Sequence, residues 1–136
     1  MVREIVKDRF FLAQKSKAAT KDDIPVADDL LDTLEANKDK CVGMAANMIG
    51  QAKRIIVFSD DGRICEMFNP EIVAKSDAFD TQEGCLSLEG VQDVKRYKKI
   101  KVKWQNREFQ TRVKNYTGWT AQIIQHECDH LDGTVI

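Results

Sequence analysis

The two histidines of the chain lie in one short string, His126-Glu127-Cys128-Asp129-His130. Residues four apart share one face of an α-helix, so the two imidazoles of an H-E-x-x-H string can bind one metal ion together. The glutamate between them can then act on a water molecule held by that ion. The string therefore predicts a metal-dependent hydrolase, provided that it lies on a helix.

The residues around the string predict that helix. Thr117 is a suitable N-cap and Gly133 a suitable C-terminal stop. An amphipathic core helix with two incidental histidines is the alternative, but it would bury a polar stripe. Four residues form the stripe, at intervals of four, three and four: Trp119, Ile123, His126 and His130.

Length and composition favour one domain that comprises residues 1–136. Hydrophobic residues make up 43% of the chain, which is enough for one core. The sequence holds no apolar run of about 18 residues, and its first residues lack the apolar stretch of a signal peptide. We therefore expect a cytoplasmic protein without membrane or direct DNA contact, whose four cysteines are free thiols or metal ligands.

Positive charge is concentrated in residues 95–114, which hold nine Lys or Arg and one acid although the net charge of the chain is -1. Such a block suits RNA or another polyanion. The alternation of apolar and basic residues in 100–104 instead indicates the solvated face of a strand. Both interpretations stay open from the sequence.

Helices at both ends and strands between them predict an α+β fold, with small antiparallel sheets packed around the helix that carries the string. Residues 26–38 have the apolar stripe of an amphipathic N-terminal helix, and 54–58 are a β-branched strand. The Asp-Asp-Gly at 60–62 predicts a hairpin turn into a second strand. We expect Asn69-Pro70 to end that strand and 71–83 to form a further strand and turn.

A catalytic site of this kind requires a third protein ligand. The extended pattern H-E-x-x-H-x-x-G-x-x-H would place a histidine at position 136, where the chain has Ile136. The ligand must then be an upstream Cys, Asp or Glu. Cys85 is the leading candidate, because Gly84 before it permits an unusual turn that aims the thiolate at the helix; Cys128 faces another side of the helix. Two alternatives stay open, Cys41 and Cys65.

Three motifs resemble those of the peptide deformylase family, metallohydrolases that remove the formyl group from the N-terminal methionine of nascent bacterial proteins. The family pattern G-x-G-L-A-A-x-Q corresponds to residues 41–48, and E-G-C-L-S is intact at 83–87. The pattern Q-H-E-x-D-H-L-D-G is intact at 125–133. The resemblance covers nearly the whole chain and implies a hydrolase that acts on a linear amide bond during protein biosynthesis.

The resemblance implies that Cys85, His126 and His130 bind one divalent metal ion. The ion is usually Fe²⁺, and Zn²⁺, Ni²⁺ or Co²⁺ can occupy such a site. Glu127 is then the general base and acid that activates metal-bound water, and the backbone N–H of Leu86 donates to the developing oxyanion.

The resemblance also implies a substrate site. Glycines at 43 and 90 allow close approach of a peptide that adds as a strand, so Gly43 is counted with the catalytic residues. Trp119 and Ile123 can equally be core residues. Four side chains are expected to line a pocket for the substrate's methionine: Val42, Trp119, Gln122 and Ile123.

Behind the site, the resemblance implies an ion pair between Arg96 and Asp129 that orients the helix. The alternative is that Arg96 is one more surface charge of the basic block. The implied partners are N-formylmethionyl nascent peptides, and residues 95–114 are a candidate for weak ribosome contact.

The first motif departs from the family at the position of its glutamine, where this chain has Met48. Methionine has no N–H to donate, and the loss of one oxyanion donor lowers turnover by about 10²–10³. The neighbouring Asn47 has an amide but is expected to point elsewhere, and Cys41 replaces a glycine. Three hypotheses follow: a deformylase, a related hydrolase with weak activity or another N-acyl substrate, and a non-enzymatic metal or nascent-chain binding protein. Glu127 argues against the last, because a structural metal site needs no base.

Overall fold

The computed structural model describes residues 1–134 and 136. Within these residues, all five strands belong to one antiparallel sheet, in the order β1-β2-β3-β4-β5. The predicted α+β class is confirmed, with one continuous sheet where several small ones were expected. The elements are α1 (Arg9–Leu12), α2 (Ile24–Ala36), β1 (Gly43–Ala45), β2 (Ile55–Asp60), β3 (Arg63–Cys85), β4 (Leu88–Gln105), β5 (Thr111–Thr117) and α3 (Gly118–Leu131), with 3-10 turns at Lys21–Asp23 and Ala46–Ile49.

The N-terminal helix and the first hairpin form as predicted. Helix α2 begins two residues before the expected range, with Pro25 in its first turn, where a missing N–H is harmless. Strands β2 and β3 are joined through Asp61 and Gly62, which have φ values of 53° and 91°. Positive φ at both positions is what a two-residue hairpin turn requires.

The prediction that Asn69-Pro70 ends a strand is wrong, and β3 continues through 71–83 without the predicted turn. A register shift after Phe68 takes these two residues out of the ladder with β4, so the missing N–H of Pro70 breaks no pairing. Asn69 adopts a φ of 53°. Its amide donates to the backbone oxygen of Ala19 at 3.0 Å and accepts from the Ala19 N–H at 2.7 Å, and this contact holds the bulge in place.

The sheet has a hydrophobic core on each side. Alternate residues of β2 face opposite sides, so Ile56 and Phe58 join one core while Ile55 and Val57 join the other. Helix α3 covers the first core and contributes residues that include Ile124, Cys128 and Leu131. Helix α2 covers the second core, chiefly through Leu30 and Leu34. The predicted string therefore lies on a helix whose position on the sheet is fixed by packing.

The basic block forms most of β4 and β5. Ile100 and Val102 of β4 are 3% and 0% exposed, whereas Lys99, Lys101 and Lys103 face outward. The solvated strand face indicated by the alternation is therefore confirmed. Among the helices that the structure describes, none is both long enough and apolar enough to cross a membrane.

Candidate metal centre and active site

One donor atom from each of Cys85, His126 and His130 lies within 4.8 Å of the other two. The Cys85 Sγ is 3.3 Å from His130 Nε2, and the two histidine Nε2 atoms are 3.1 Å apart. A thiolate and two imidazoles at such separations suit one ion held at about 2.0–2.3 Å. In the part of the chain that the structure describes, this is the only group of three such donors.

Two elements bring these donors together. His126 and His130 are one turn apart on the buried face of α3, at 8% and 1% exposure. Cys85 is the last residue of β3 and pairs with Leu88 after a register shift. The expected role of Gly84 is wrong, because its φ is not positive; the left-handed conformation lies at Gly90, with φ 78°. The Cys85 sulfur is therefore aimed by a bulge at the strand end and by the tight turn that follows it.

Glu83 connects the donors to the rest of the protein, a role that the sequence reasoning missed. Its Oε1 lies 2.7 Å from His126 Nδ1, which leaves Nε2 of that imidazole free for a metal. It also accepts bonds from Arg96 and from Gln122. Burial alone would raise the pKa of Glu83, but the bonds from His126, Arg96 and Gln122 lower it to about 2. The sequence carries no signal for this role, because the side chains that Glu83 contacts come from distant segments, β4 and α3.

Arg96 is 4% exposed and joins two carboxylates. Its Nη1 lies 2.7 Å from Asp129 Oδ2, as expected, and its Nη2 lies 2.7 Å from Glu83 Oε1. The alternative that Arg96 is a surface charge is wrong. Burial opposes the charge of Arg96, but these partners raise its pKa. A single guanidinium from β4 thus ties the end of β3 to helix α3.

The two histidines have opposite electrostatic surroundings. Burial would lower the pKa of His126, but contacts with Cys85 and Glu83 raise it to about 10 in the metal-free protein. Burial lowers the pKa of His130 to about 3, and the positive charges of His126 and Arg96 add to that effect. His130 is therefore neutral at physiological pH, and the neutral imidazole is the form that can bind a metal ion.

Glu127 is 4% exposed, and its Oε1 has no hydrogen-bond partner among the described residues. Burial raises its pKa to about 7. Gly43 of β1 faces this side chain across a narrow gap: a Cβ at position 43 would lie 2.8 Å from Ile123 Cγ2 and 2.9 Å from Glu127 Oε2. The absence of a side chain at Gly43 therefore permits the close approach of β1 to α3.

A cavity of about 730 Å³ opens in front of Glu127 and reaches the side chains of Cys85 and His126. Trp119 is 61% exposed at its mouth, so the interpretation of Trp119 as a core residue is wrong. Ile123 is 4% exposed and belongs to both the core and the wall. Other predicted residues in the lining are Val42, Gly43, Met48, Leu86, Gly90 and Gln122.

One wall of the cavity, residues 38–41, was not expected to reach the substrate. Cys41 belongs to it, and burial together with the charge of Glu127 raises the pKa of this thiol to about 11. Cys41 and Cys65 lie outside the donor group, so of the sequence candidates only Cys85 joins the two histidines. Cys128 is buried in the core under α3, as expected.

The altered first motif lies against the cavity. Met48 is 1% exposed, and its Sδ accepts a weak bond from the Ala45 N–H at 3.5 Å. Asn47 turns away, as expected, and donates through Nδ2 to the His130 backbone oxygen at 3.0 Å. The side chain that lies where the family has a glutamine therefore brings no N–H into the cavity.

The chain is similar to peptide deformylases along its whole length. A sequence profile described as polypeptide deformylase matches residues 2–136. A peptide deformylase of Clostridium beijerinckii is 52% identical over 136 residues, which covers 100% of both chains. A peptide deformylase of Dictyoglomus thermophilum is 38% identical over 100% of this chain and 91% of its own length.

Solved structures of peptide deformylases are also similar to this chain over almost its whole length. The Met-Ala-Ser bound class I type b peptide deformylase from Acinetobacter baumannii superposes with a TM-score of 0.89 at 26% identity, over 99% of this chain and 97% of that one. Peptide deformylase from Thermotoga maritima superposes with a TM-score of 0.87 at 31% identity, over 99% and 94%.

Proposed function

Since the chain belongs to the polypeptide deformylase family, it is a metal-dependent hydrolase that removes the N-formyl group of nascent polypeptides, and we propose that Cys85, His126 and His130 hold its metal while Glu127 transfers the proton. The observation that supports this assignment is the convergence of the three donor atoms within 4.8 Å beside a buried carboxylate at the end of the cavity. We also propose that residues 1–136 act as one domain.

The donor set fits a divalent ion of borderline softness. Glu83 holds His126 by Nδ1, so the Nε2 nitrogen is the one left to bind. A bound ion lowers the pKa of water and polarises the formyl carbonyl. We propose Fe²⁺ as the native ion, with Zn²⁺, Ni²⁺ or Co²⁺ as substitutes that the same donors accept.

Glu127 is suited to the proton transfers of formamide hydrolysis. Its pKa of about 7 lies near physiological pH, where a general base is most effective. It takes a proton from the attacking water and delivers one to the nitrogen of the substrate as the C–N bond breaks, so that formate and a free N-terminal amine leave. The backbone N–H of Leu86, at the edge of the cavity, donates to the oxyanion that develops on the formyl oxygen.

The apolar part of the cavity is the proposed pocket for the substrate's methionine side chain. Val42, Trp119, Gln122 and Ile123 lie together on the wall beside His126. One similar solved structure, that of the Acinetobacter baumannii enzyme, is described as bound to Met-Ala-Ser. We therefore propose formyl-Met-Ala-Ser as a model substrate for this chain.

The assignment is tested by turnover of formyl-Met-Ala-Ser with Fe²⁺- or Co²⁺-loaded protein whose metal content is measured. We expect turnover by the loaded protein, and loss of both metal and turnover in Cys85→Ser. The matched control is Cys65→Ser, on the same strand but outside the donor group, which should keep both. A fully metallated protein without turnover would contradict the proposal.

A second candidate is a related hydrolase with weak deformylation or a preference for another N-acyl group. Met48 favours it, because this buried side chain at the cavity wall offers no donor to an oxyanion. Parallel assays with formyl-, acetyl- and propionyl-Met-Ala-Ser separate the two candidates. Turnover of a longer acyl group above that of formyl would favour the second.

Ribosome contact is proposed through the exposed lysines of β4, of which Lys99, Lys101 and Lys103 form one outward row. Attraction between such a row and RNA is strongly salt-dependent. Co-sedimentation with ribosomes should therefore fall as salt rises to about 0.3 M, and an unchanged fraction would count against electrostatic contact. Because the substrates are nascent chains, we propose a cytoplasmic location.

A further inference from the structure

Gln122 brings an amide into a wall that is otherwise formed by Val42, Trp119 and Ile123. Its Nε2 donates to Glu83 Oε2 at 2.8 Å. Among the described residues, Glu83 is the only hydrogen-bond partner of this amide. One N–H of Nε2 and the carbonyl Oε1 therefore remain for whatever enters the cavity.

The orientation of this amide is set by Glu83. Arg96 Nη2 and His126 Nδ1 also lie 2.7 Å from Glu83 Oε1. A flipped amide would place Oε1 of Gln122, which can only accept, against Glu83 Oε2, which already accepts from Arg96 Nε at 3.0 Å. Only the orientation with Nε2 toward Glu83 therefore forms a hydrogen bond. The free N–H belongs to the same nitrogen and is consequently fixed as well. An amide held in this way is a preorganised hydrogen-bond donor, unlike a mobile side chain on the surface.

We propose that Gln122 is a specificity-determining residue whose free N–H donates to the thioether sulfur of the substrate's methionine. The inference rests on the proposed function, which puts that side chain beside Gln122. Sulfur is a weak acceptor, and a methylene at the same place is none. A pocket built to hydrogen-bond one atom of a substrate discriminates against the analogue that lacks it, because the donor is then buried without a partner.

Norleucine is the informative analogue, because it has the length of methionine with a methylene in place of sulfur. A purely apolar pocket would accept the two equally or favour norleucine. We expect the wild-type protein to prefer formyl-Met-Ala-Ser over formyl-Nle-Ala-Ser by roughly three- to ten-fold in kcat/KM, the range of one neutral hydrogen bond. Binding of Met-Ala-Ser and Nle-Ala-Ser, measured by calorimetry, makes the same comparison without turnover.

Two variants test the residue itself. Gln122→Leu and Gln122→Met have similar volumes and bring no N–H donor into the wall. In each, the Met/Nle ratio should fall to about one or below, mainly through tighter binding of norleucine in Gln122→Leu. Ile123→Val, on the same wall, is the matched control: it should change both substrates by the same factor and keep the wild-type ratio.

The possible results separate this inference from the proposed function. A wild-type ratio near one, or a ratio that Gln122→Leu leaves unchanged, would overturn the inference, and a role of Gln122 in holding Glu83 alone predicts this second result. Preferential binding of Met-Ala-Ser without turnover of either formyl peptide would support the inference and contradict the proposed function.

Discussion

Replacement of Met48 by glutamine should raise the activity of this protein. Met48 lies in the 3-10 turn Ala46–Ile49, against the cavity, and its Sδ accepts from the Ala45 N–H at 3.5 Å. A glutamine side chain has about the same length. Its Oε1 can accept from the Ala45 N–H as the sulfur does, which turns the two N–H groups of Nε2 toward the cavity.

The size of the gain follows from the value of one oxyanion donor. Removal of such a donor lowers kcat by about 10²–10³, and the Leu86 N–H already supplies one donor. We therefore expect Met48→Gln to raise kcat by about 10²-fold, the lower end of this range. Since Met48 is 1% exposed, the buried amide should lower the free energy of unfolding by about 1–3 kcal/mol. That corresponds to a Tm lower by roughly 3–12 °C for a chain of this size.

The assay is kcat for formyl-Met-Ala-Ser at saturating substrate, with metal content and Tm measured on the same samples. Met44→Gln is the matched control, because Met44 is 0% exposed in the same core and does not line the cavity. It should lower Tm without raising kcat. A folded, fully metallated Met48→Gln protein whose kcat equals that of the wild type would refute the reasoning.

Three further predictions concern the supports of the site. Gly43→Ala should lower Tm by several degrees and lower kcat by up to about 10²-fold, because its Cβ would lie 2.8 Å from Ile123 Cγ2 and 2.9 Å from Glu127 Oε2. Gly84→Ala, whose Cβ would meet nothing closer than 3.5 Å, should lower Tm far less. Arg96→Ala leaves the carboxylates of Glu83 and Asp129 without their cation. The free energy of unfolding, measured in urea, should therefore drop by about 3–5 kcal/mol, and a chelator should remove the metal faster. Unchanged values would contradict the ion-pair role. In the metal-free protein, Glu83→Gln should be less stable at neutral pH. Because the pKa of Glu83 is lowered from 4.5 to about 2, the difference should be full above about pH 4.5 and vanish as the pH falls toward about 2; a difference that stays constant over this range would exclude the carboxylate as its source.

The features that were predictable from the sequence are those encoded locally. The stripe that ends in His126 and His130 lies within one helix, and the Asp61-Gly62 turn needs only two residues with positive φ. Cys85 required more, because chemistry alone left Cys41 and Cys65 open and only the resemblance selected it.

The features that could not be predicted depend on contacts between distant segments. Glu83 binds side chains from β4 and from two positions on α3, and no spacing in the sequence predicts these contacts. The bulge at Asn69 is held by Ala19, 50 residues away. The exposure of Trp119 follows from where α3 begins relative to the cavity, which the helical period alone does not determine.

The central claim is that Glu127 transfers the proton at a metal held by Cys85, His126 and His130. Its most direct test is the parallel measurement of bound metal and deformylation in Glu127→Gln, which keeps the size of the side chain and removes the base. The account predicts about one ion per chain in both proteins and a kcat lower by about 10²–10⁴ in the variant. A metallated Glu127→Gln protein that deformylates formyl-Met-Ala-Ser at the wild-type rate would contradict it.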